Sequence, residues 1–333
     1  MKNYTLELFR LLRPLALAAG AGSALAAPAP GYNVWFTDGR AAVAANDTGQ
    51  VLINGYGSAQ DQSAVWTNGQ VSVLSAPGYL GAVAKGINDQ GVVVGAARTS
   101  AGGRPVRWDQ GNISELAYIG YGGGANGINN SGVITGGVDR QAVKWKNGVM
   151  SALPEVEGAY SSIGNAINDQ EDVGGGIVHE WSDGAEWPQQ PHYEYESGVA
   201  KWVGQASTPV VLVPYGVPGG PEGTAINNSG VVVGRVWIES LGSVVAATFK
   251  DGVTELLEQN WSGALGVNDA EDVVGYSTLS LLDDSTVATL WSNGVRTDLN
   301  DFLSQGQRDA GWRLYLASDV NNKGWIVGSA YNP

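Results

Sequence analysis

One segment of this chain concentrates the side chains that suit chemistry. Residues 178–198 hold both histidines of the sequence, with aromatic and acidic residues in close succession. Aromatic rings stack on the apolar faces of sugars while carboxylates bind their hydroxyls. The segment therefore predicts a carbohydrate-binding loop, and its expected contact residues are Trp181, Trp187, His192, Tyr193 and Tyr195. The alternative is a long hairpin that packs these rings on its own sheet.

The same segment also admits acid/base chemistry. Histidine titrates near neutral pH, and His192 lies two residues before Glu194. A polysaccharide-degrading enzyme, either a lyase or a glycosidase, is therefore the alternative function. No nucleophile elbow occurs, and Gly122–Gly124 lacks the Lys and helix of a phosphate loop. No third ligand accompanies His179 and His192 at metal-site spacing, so we expect a non-enzymatic protein with no bound metal.

Two acidic turns form a second candidate site. Asp169–Asp172 and Asp269–Asp272 carry Glu-Asp where related turns of this chain carry a residue followed by Gly. Clustered carboxylates suit Ca²⁺, but the spacing is not that of a calcium-binding loop. Asn and Asp are common in turns because their side chains bond the local backbone. We favour the structural interpretation and keep Ca²⁺ as the alternative.

These turns belong to a phrase that occurs seven times. Each copy is a short strand ending in Asn, a turn and a second strand, as in Gly86–Gly95. The motif asparagines are Asn46, Asn88, Asn129, Asn168, Asn227, Asn268 and Asn321. Four of the six intervals between them span 39–42 residues, and the other two span 59 and 53. Such a period indicates a propeller or a solenoid.

A second phrase recurs in phase with the first. It is an apolar run that ends in an aromatic residue and a turn, often Asn-Gly or Asp-Gly. The aromatic residues are Trp66, Trp108, Trp145, Trp202, Phe249 and Trp291. Asn-Gly between apolar runs predicts a type I′ hairpin. Each unit therefore offers about four strands, and we expect the aromatic series to form the core between blades.

The number of units predicts how the ring closes. Six units are complete and the seventh stops at Pro333, whereas Tyr32–Gly39 resembles the strand that the seventh lacks. We predict an all-β, seven-bladed propeller, closed by the N-terminal strand joining the C-terminal blade. In that arrangement Asn33–Thr37 pairs with Gly324–Ser329, and closure removes exposed sheet edges. A six-bladed propeller is the alternative.

Residues 1–26 have the pattern of a secretory signal peptide. A basic start precedes an apolar run too short to span a membrane, and Ala24–Ala26 gives a small-x-small cleavage site. The predicted organisation is a signal peptide at 1–26 and a single propeller domain at 27–333, secreted or periplasmic. The chain has no cysteine, so its fold does not depend on disulfides.

The charge restricts the partners. The formal net charge is −14, and removal of residues 1–26 takes away three basic residues and one acidic residue. The resulting charge of −16 repels nucleic acid and anionic membranes. No later apolar stretch is long enough to span a bilayer, so we expect no membrane span. We further expect a monomer whose partner is an extracellular glycan or a cell-surface molecule.

The repeated phrase resembles the bacterial extracellular repeats of the HAF family. The last unit carries the most similar stretches, Thr297–Leu303, Gly311–Leu314 and Asp319–Asn322. The resemblance covers essentially the whole chain after residue 26, and it implies an extracellular repeat protein without a transferable catalytic motif. Together these observations predict an exported, non-enzymatic binding or surface-associated scaffold.

Overall fold

The alternating strands and turns of the sequence form an all-β propeller in the computed structural model. The structure describes residues 5–11, 35–38, 41–55, 62–182, 193–204, 206, 208–217, 222–280 and 283–332. Its strands form seven four-stranded antiparallel sheets. Short helical turns occur at Glu239–Leu241, Leu299–Phe302 and Gln305–Asp309.

Six of the sheets are each built from four consecutive strands. The first three are β3 (Ala41–Ala45), β4 (Gln50–Asn54), β5 (Ser63–Thr67) and β6 (Gln70–Leu74); β7 (Gly81–Ile87), β8 (Val93–Thr99), β9 (Gly102–Asp109) and β10 (Asn112–Glu115); and β11 (Gly123–Ile128), β12 (Ile134–Val138), β13 (Gln141–Lys146) and β14 (Val149–Ala152). The next three are β15 (Ser161–Ile167), β16 (Val173–Ser182), β17 (Tyr193–Trp202) and β18 (Val210–Val217); β19 (Glu222–Ile226), β20 (Val232–Ile238), β21 (Ser243–Lys250) and β22 (Val253–Leu256); and β23 (Ser262–Val267), β24 (Val273–Ser280), β25 (Asp283–Ser292) and β26 (Val295–Asp298). We number these blades 1 to 6 in chain order.

The seventh sheet joins the two ends of the chain. Its strands are β1 (Thr5–Leu11), β2 (Trp35–Asp38), β27 (Arg313–Val320) and β28 (Ile326–Asn332), in the order β2-β1-β28-β27. The prediction that the N-terminal strand joins the C-terminal sheet is confirmed. The predicted direct pairing of Asn33–Thr37 with Gly324–Ser329 is wrong, because β1 lies between β2 and β28. Sequence reasoning assigned β1 to the signal peptide and did not consider it as a strand.

The hairpins between the third and fourth strands follow the predicted turn chemistry. In the Asn68-Gly69 turn the two residues have φ of 49° and 87°, and in Asn147-Gly148 they have 53° and 77°. Positive φ at both central positions is the signature of a type I′ turn, whose twist matches that of the flanking strands. The dipeptides therefore fix the register of these hairpins.

Apolar side chains pack between neighbouring sheets around the whole ring. The described residues form seven core clusters, and each combines residues of two adjacent blades. The predicted aromatic core is confirmed for Trp108, Trp145, Trp202, Phe249 and Trp291, whose side chains are 1–4% exposed. Trp66 is partly buried and packs where blade 1 meets the seventh blade.

The motif asparagines close a continuous ring around the propeller axis. Each is buried, with 3–6% exposure, and its Nδ2 donates to the backbone oxygen of the motif asparagine in the next blade at 2.8–3.2 Å. Its Oδ1 accepts from the backbone N–H four residues ahead at 2.8–3.0 Å. The expectation that these residues form turns is confirmed, and the link between blades is an addition that the sequence alone did not reveal.

Removing one link should weaken the whole ring. Asn129 donates to Asn168, and its Oδ1 accepts from the N–H groups of Ser131 and Val133. We expect Asn129→Ala to lower the free energy of unfolding by about 3 kcal/mol, because these bonds and a fourth from the Ser131 hydroxyl are lost at a buried position. Urea unfolding measures the change. Asn112→Ala is the control, since its exposed side chain makes one long contact, and an equal loss in both variants would contradict the ring's role.

The predicted cleavage after Ala26 would remove β1 from the seventh sheet. A chain that starts at Ala27 leaves the edge of β28 open and takes the partner away from β2. We expect this shorter chain to have a lower free energy of unfolding than the full chain, by at least about 1 kcal/mol. Equilibrium unfolding of both chains tests this, and equal stability would show that β1 adds nothing to the fold.

Candidate functional site

The innermost strands all run in the same direction, so the propeller has two faces that carry different residues. The innermost strands β3, β7, β11, β15, β19, β23 and β27 all end at the motif asparagines. We call this end the asparagine face. The opposite end, where the same strands begin and where the hairpin β16–β17 has its tip, carries exposed aromatic residues, and we call it the aromatic face.

A second ring of hydrogen bonds covers the asparagine face. The residue after each motif asparagine donates its backbone N–H to the side-chain oxygen of its counterpart in the next blade, at 2.8–3.0 Å. The members are Asp47, Asp89, Asn130, Asp169, Asn228, Asp269 and Asn322. Asp and Asn both supply the required acceptor, which explains why the sequence alternates between them. Both rings line a cavity of about 170 Å³ at the end of the central channel.

Asp319 is an unusual residue in this channel. The other repeats carry Ala or Gly two residues before the motif asparagine. At Gly86, for example, an added Cβ would lie 3.2 Å from the backbone oxygen of Asn126 in the next blade. The Asp319 carboxylate accepts from the N–H groups of Ala45 at 2.9 Å and Val320 at 2.8 Å, so it bridges the seventh blade and blade 1.

The narrow channel perturbs the acidity of this carboxyl. Desolvation raises the pKa of Asp319 to about 6, against the two backbone N–H donors, which lower it. The nearby charge of Asp47 raises the pKa further. Asp319 is therefore the carboxyl that sequence reasoning missed, and its signal was a charged residue at a position that is otherwise Ala or Gly.

The two acidic turns are held by ion pairs. Glu171 and Glu271 adopt φ of 65° and 60°, where other copies have glycine, as at Gly91 with φ of 76°. Glu171 contacts Lys144 at 3.1 Å and also Lys146, while Glu271 contacts Lys250 at 2.8 Å. The hydrogen bond from Lys146 lowers the pKa of Glu171 despite its partial burial.

The aspartates of these turns are occupied as well. Asp172 contacts Lys201 at 3.3 Å and accepts from the N–H of Gly204, and Asp272 accepts from Ser292. Within the described part of the chain, no cluster of three or more acidic, histidine or cysteine side chains suits a metal ion. These contacts favour the structural interpretation of the turns, and Ca²⁺ binding stays a prediction.

The aromatic face exposes large apolar side chains in four of the blades. The exposed residues are Leu80 (65%), Ile119 (77%), Tyr121 (89%), Tyr160 (37%), Tyr195 (58%) and Trp261 (40%). Most of them precede an innermost strand, and Tyr195 lies in β17. An aromatic residue stands seven to nine positions before the motif asparagine in five units, namely Tyr79, Tyr121, Tyr160, Trp261 and Trp312. This third phrase was visible in the sequence but was not used in the prediction.

The two described ends of the predicted binding segment lie on a long hairpin that extends towards this face. Its strands β16 and β17 are ten residues each and pair as far as Ser182 and Tyr193. Trp181 and Tyr193 lie on these two strands, opposite Glu194 and Ser182 respectively. Trp187 and His192 fall outside the described residues, so their roles stay predictions.

Tyr195 connects the hairpin to the neighbouring aromatic residues. Its hydroxyl donates to Glu180 Oε1 at 3.0 Å, and its ring lies 5.9 Å from that of Tyr160. The guanidinium of Arg140 stacks on the other ring at 4.6 Å, which is a favourable cation–π distance. The hydrogen bond to Glu180 raises the pKa of the Tyr195 phenol. The result is an exposed cluster of two aromatic rings with a carboxylate and a guanidinium beside them.

Similarity to known structures supports the fold. A putative TolB from Agrobacterium tumefaciens is 8% identical, with a TM-score of 0.53 and complete coverage of both chains. An acylaminoacyl peptidase from Pyrococcus horikoshii is 12% identical, with a TM-score of 0.45 over 72% of this chain and 42% of that one. The first similarity shows a shared propeller fold and nothing further, and the second is too weak to support an argument. No family model and no curated protein sequence matches the chain.

Among the described residues, no helix is long and apolar enough to cross a bilayer.

The desolvated carboxyl of Asp319 should make stability depend on pH. Its folded pKa of about 6 exceeds the ordinary value of 3.8, so the folded state holds the proton more tightly. The stabilisation is complete below about pH 4 and is lost as pH rises through about 6. We expect Asp319→Asn to remove this decline.

The measurement is the free energy of unfolding of parent and variant from pH 3 to about 8. The contributions of all other carboxyls are common to both proteins and cancel in the parent-minus-variant difference. Asp109→Asn, at an exposed carboxyl paired with Arg107, is the control. A parent-minus-variant difference that stays flat between about pH 4 and 6 would show that Asp319 does not titrate there.

Proposed function

We propose that this protein is an exported, non-enzymatic binding scaffold that takes a neutral polysaccharide on its aromatic face. The observation that supports this most directly is the set of six large apolar side chains, 37–89% exposed, on one face of the propeller. Exposed apolar residues grouped on one surface mark interaction sites, whereas isolated ones are ordinary. The centre of the opposite face is covered by two hydrogen-bonded rings of polar side chains, and the exposed apolar residues on that side, such as Val149, Val253 and Val295, follow the outer hairpin turns.

The chemistry around Tyr195 agrees with a sugar ligand. Its ring and that of Tyr160 offer flat apolar surfaces, and Glu180 and Arg140 supply an acceptor and donors at their edges. Sugars present the matching combination of an apolar ring face and peripheral hydroxyls. The negative charge of the chain disfavours acidic polysaccharides, which leaves a neutral one as the proposed ligand.

The geometry does not favour the polysaccharide-degrading alternative. A tyrosine that removes a proton near neutral pH needs a lowered pKa, but the bond to Glu180 raises that of Tyr195. The remaining acid/base candidate, His192, lies outside the described residues. Export and surface association follow in this proposal from residues 1–26 and from the resemblance to HAF repeats.

Retention on immobilised polysaccharide tests the proposal. We expect the protein to bind a neutral β-glucan more tightly than alginate, and to release no new reducing ends or unsaturated sugars. In a Tyr121→Ala/Tyr195→Ala double variant, retention should weaken by about tenfold or more, because each aromatic contact contributes about 0.5–1.5 kcal/mol.

The matched control is Val149→Ala, which removes an exposed apolar side chain near the asparagine face. It should leave retention unchanged. Undiminished binding by the double variant would refute the aromatic face as the binding surface. Release of sugar products by the parent protein would instead support the enzymatic alternative.

A further inference from the structure

A deep cleft separates the outer parts of blades 5 and 6. Its volume is about 560 Å³, which lies within the range of small-molecule sites. Val231, Val273 and Trp291 supply buried apolar surface, and the turns at Asp251 and Asn293 line its mouth. These turns belong to the asparagine-face side of the blades, so the cleft is separate from the aromatic face.

Trp291 lacks a hydrogen bond that its counterparts in other blades make. The indole Nε1 of Trp108 donates to Ser75 O at 3.0 Å, that of Trp202 donates to Pro154 O at 2.8 Å, and that of Trp145 donates to Ala117 O. Each acceptor follows a leucine at the end of the preceding blade. Trp291 is 4% exposed, and its Nε1 has no partner.

The connection between blades 5 and 6 differs from its counterparts. The position that corresponds to Ser75 is Glu258, which follows Leu257. The Glu258 carboxylate binds Arg296 Nε at 3.1 Å, and Arg296 also donates to Ser277 Oγ at 2.8 Å. The link to blade 6 is therefore made through side chains. A buried N–H without an acceptor is destabilising, so a ligand that accepts from it gains binding free energy.

The charges at the cleft select for a cation. Lys250 pairs with Glu271 at 2.8 Å, so the charges of these two residues neutralise each other. Asp251 and Glu255 also line the cleft, so its four charged groups sum to a net charge of −2. Both of these residues are exposed, as are Val253 and Leu256 beside them. An approaching cation is attracted, and an anion is repelled.

We propose that the cleft between blades 5 and 6 binds a small organic cation that has an apolar body and a hydrogen-bond acceptor. The ligand's acceptor accepts a hydrogen bond from Trp291 Nε1–H, its apolar body contacts Val231 and Val273, and its positive charge lies near Asp251 and Glu255. This ligand differs in class from the neutral polysaccharide proposed for the aromatic face. The two proposals concern different surfaces, so the test of one does not decide the other.

Three phenylalanine derivatives test the charge preference at about pH 6, where the free amine is protonated. They are L-phenylalaninamide, a cation; N-acetyl-L-phenylalaninamide, which is neutral; and N-acetyl-L-phenylalanine, an anion. Each carries a carbonyl acceptor and one aromatic ring. Titration calorimetry or ligand-observed NMR on the full chain gives the dissociation constants. We expect the cation to bind about tenfold more tightly than the neutral probe, with the anion weakest.

Two variants test the assigned residues with the cationic probe. Trp291→Phe keeps the ring and removes the N–H, and Glu255→Gln removes one carboxylate. Each should weaken binding about five- to tenfold. The matched controls are Trp108→Phe and Glu157→Gln, which make the same changes away from the cleft and should bind as the parent does.

The phenylalanine variants also give a readout without ligand. Both substitutions replace a buried indole with a smaller ring and should lower the melting temperature through lost packing. Trp108→Phe also loses the bond to Ser75, so its melting temperature should fall about 2 °C further than that of Trp291→Phe. The proposal is overturned if no saturable binding of the cation occurs up to about 10 mM. It is equally overturned if the three probes bind alike, or if both cleft variants retain the parent's affinity.

Discussion

The contact between one asparagine side chain and the next blade is the constraint on which the rest of the fold depends. Each motif asparagine caps its own turn with Oδ1 and reaches the following blade with Nδ2. No other side chain of that length offers an acceptor and a donor in this geometry. Because every link is buried and repeated around the axis, the strands next to it are held in register, and length differences are confined to regions away from the axis.

The constraint explains where the repeat changes and what each change requires. Glu171 replaces a glycine at positive φ, and two lysines of the preceding blade compensate with ion pairs. Asp319 replaces a small residue beside the channel and bonds across the junction of the seventh blade with blade 1. Trp291 keeps its packing but lacks the bond to the preceding blade. All three of these residues lie at interfaces between adjacent blades.

The two faces differ because the rings saturate one of them. On the asparagine face, backbone and side-chain polar groups bond to each other around the axis, which leaves little unpaired chemistry outside the channel. On the aromatic face the connecting loops are free of this requirement, and they carry exposed residues such as Tyr121 and Ile119. Extra length in β16 and β17 is also tolerated there, since lengthening a hairpin away from the axis disturbs no link.

The sequence by itself determined the all-β class, the period, the type I′ hairpins and the buried aromatic series. All of these depend on local spacing and on turn chemistry, and both can be recognised within the sequence of a single blade. Tertiary structure decided what spans two blades: the double ring, the raised pKa of Asp319, the unpaired Trp291 and the position of β1. Local spacing gives none of these contacts, because each depends on which distant residues meet in the fold; only Asp319 stood out in the sequence, as a charged residue at a position that is otherwise Ala or Gly. The contacts of Tyr195 also depend on tertiary structure, because Glu180 lies on the paired strand β16 and Tyr160 lies just before β15, on the far side of β16.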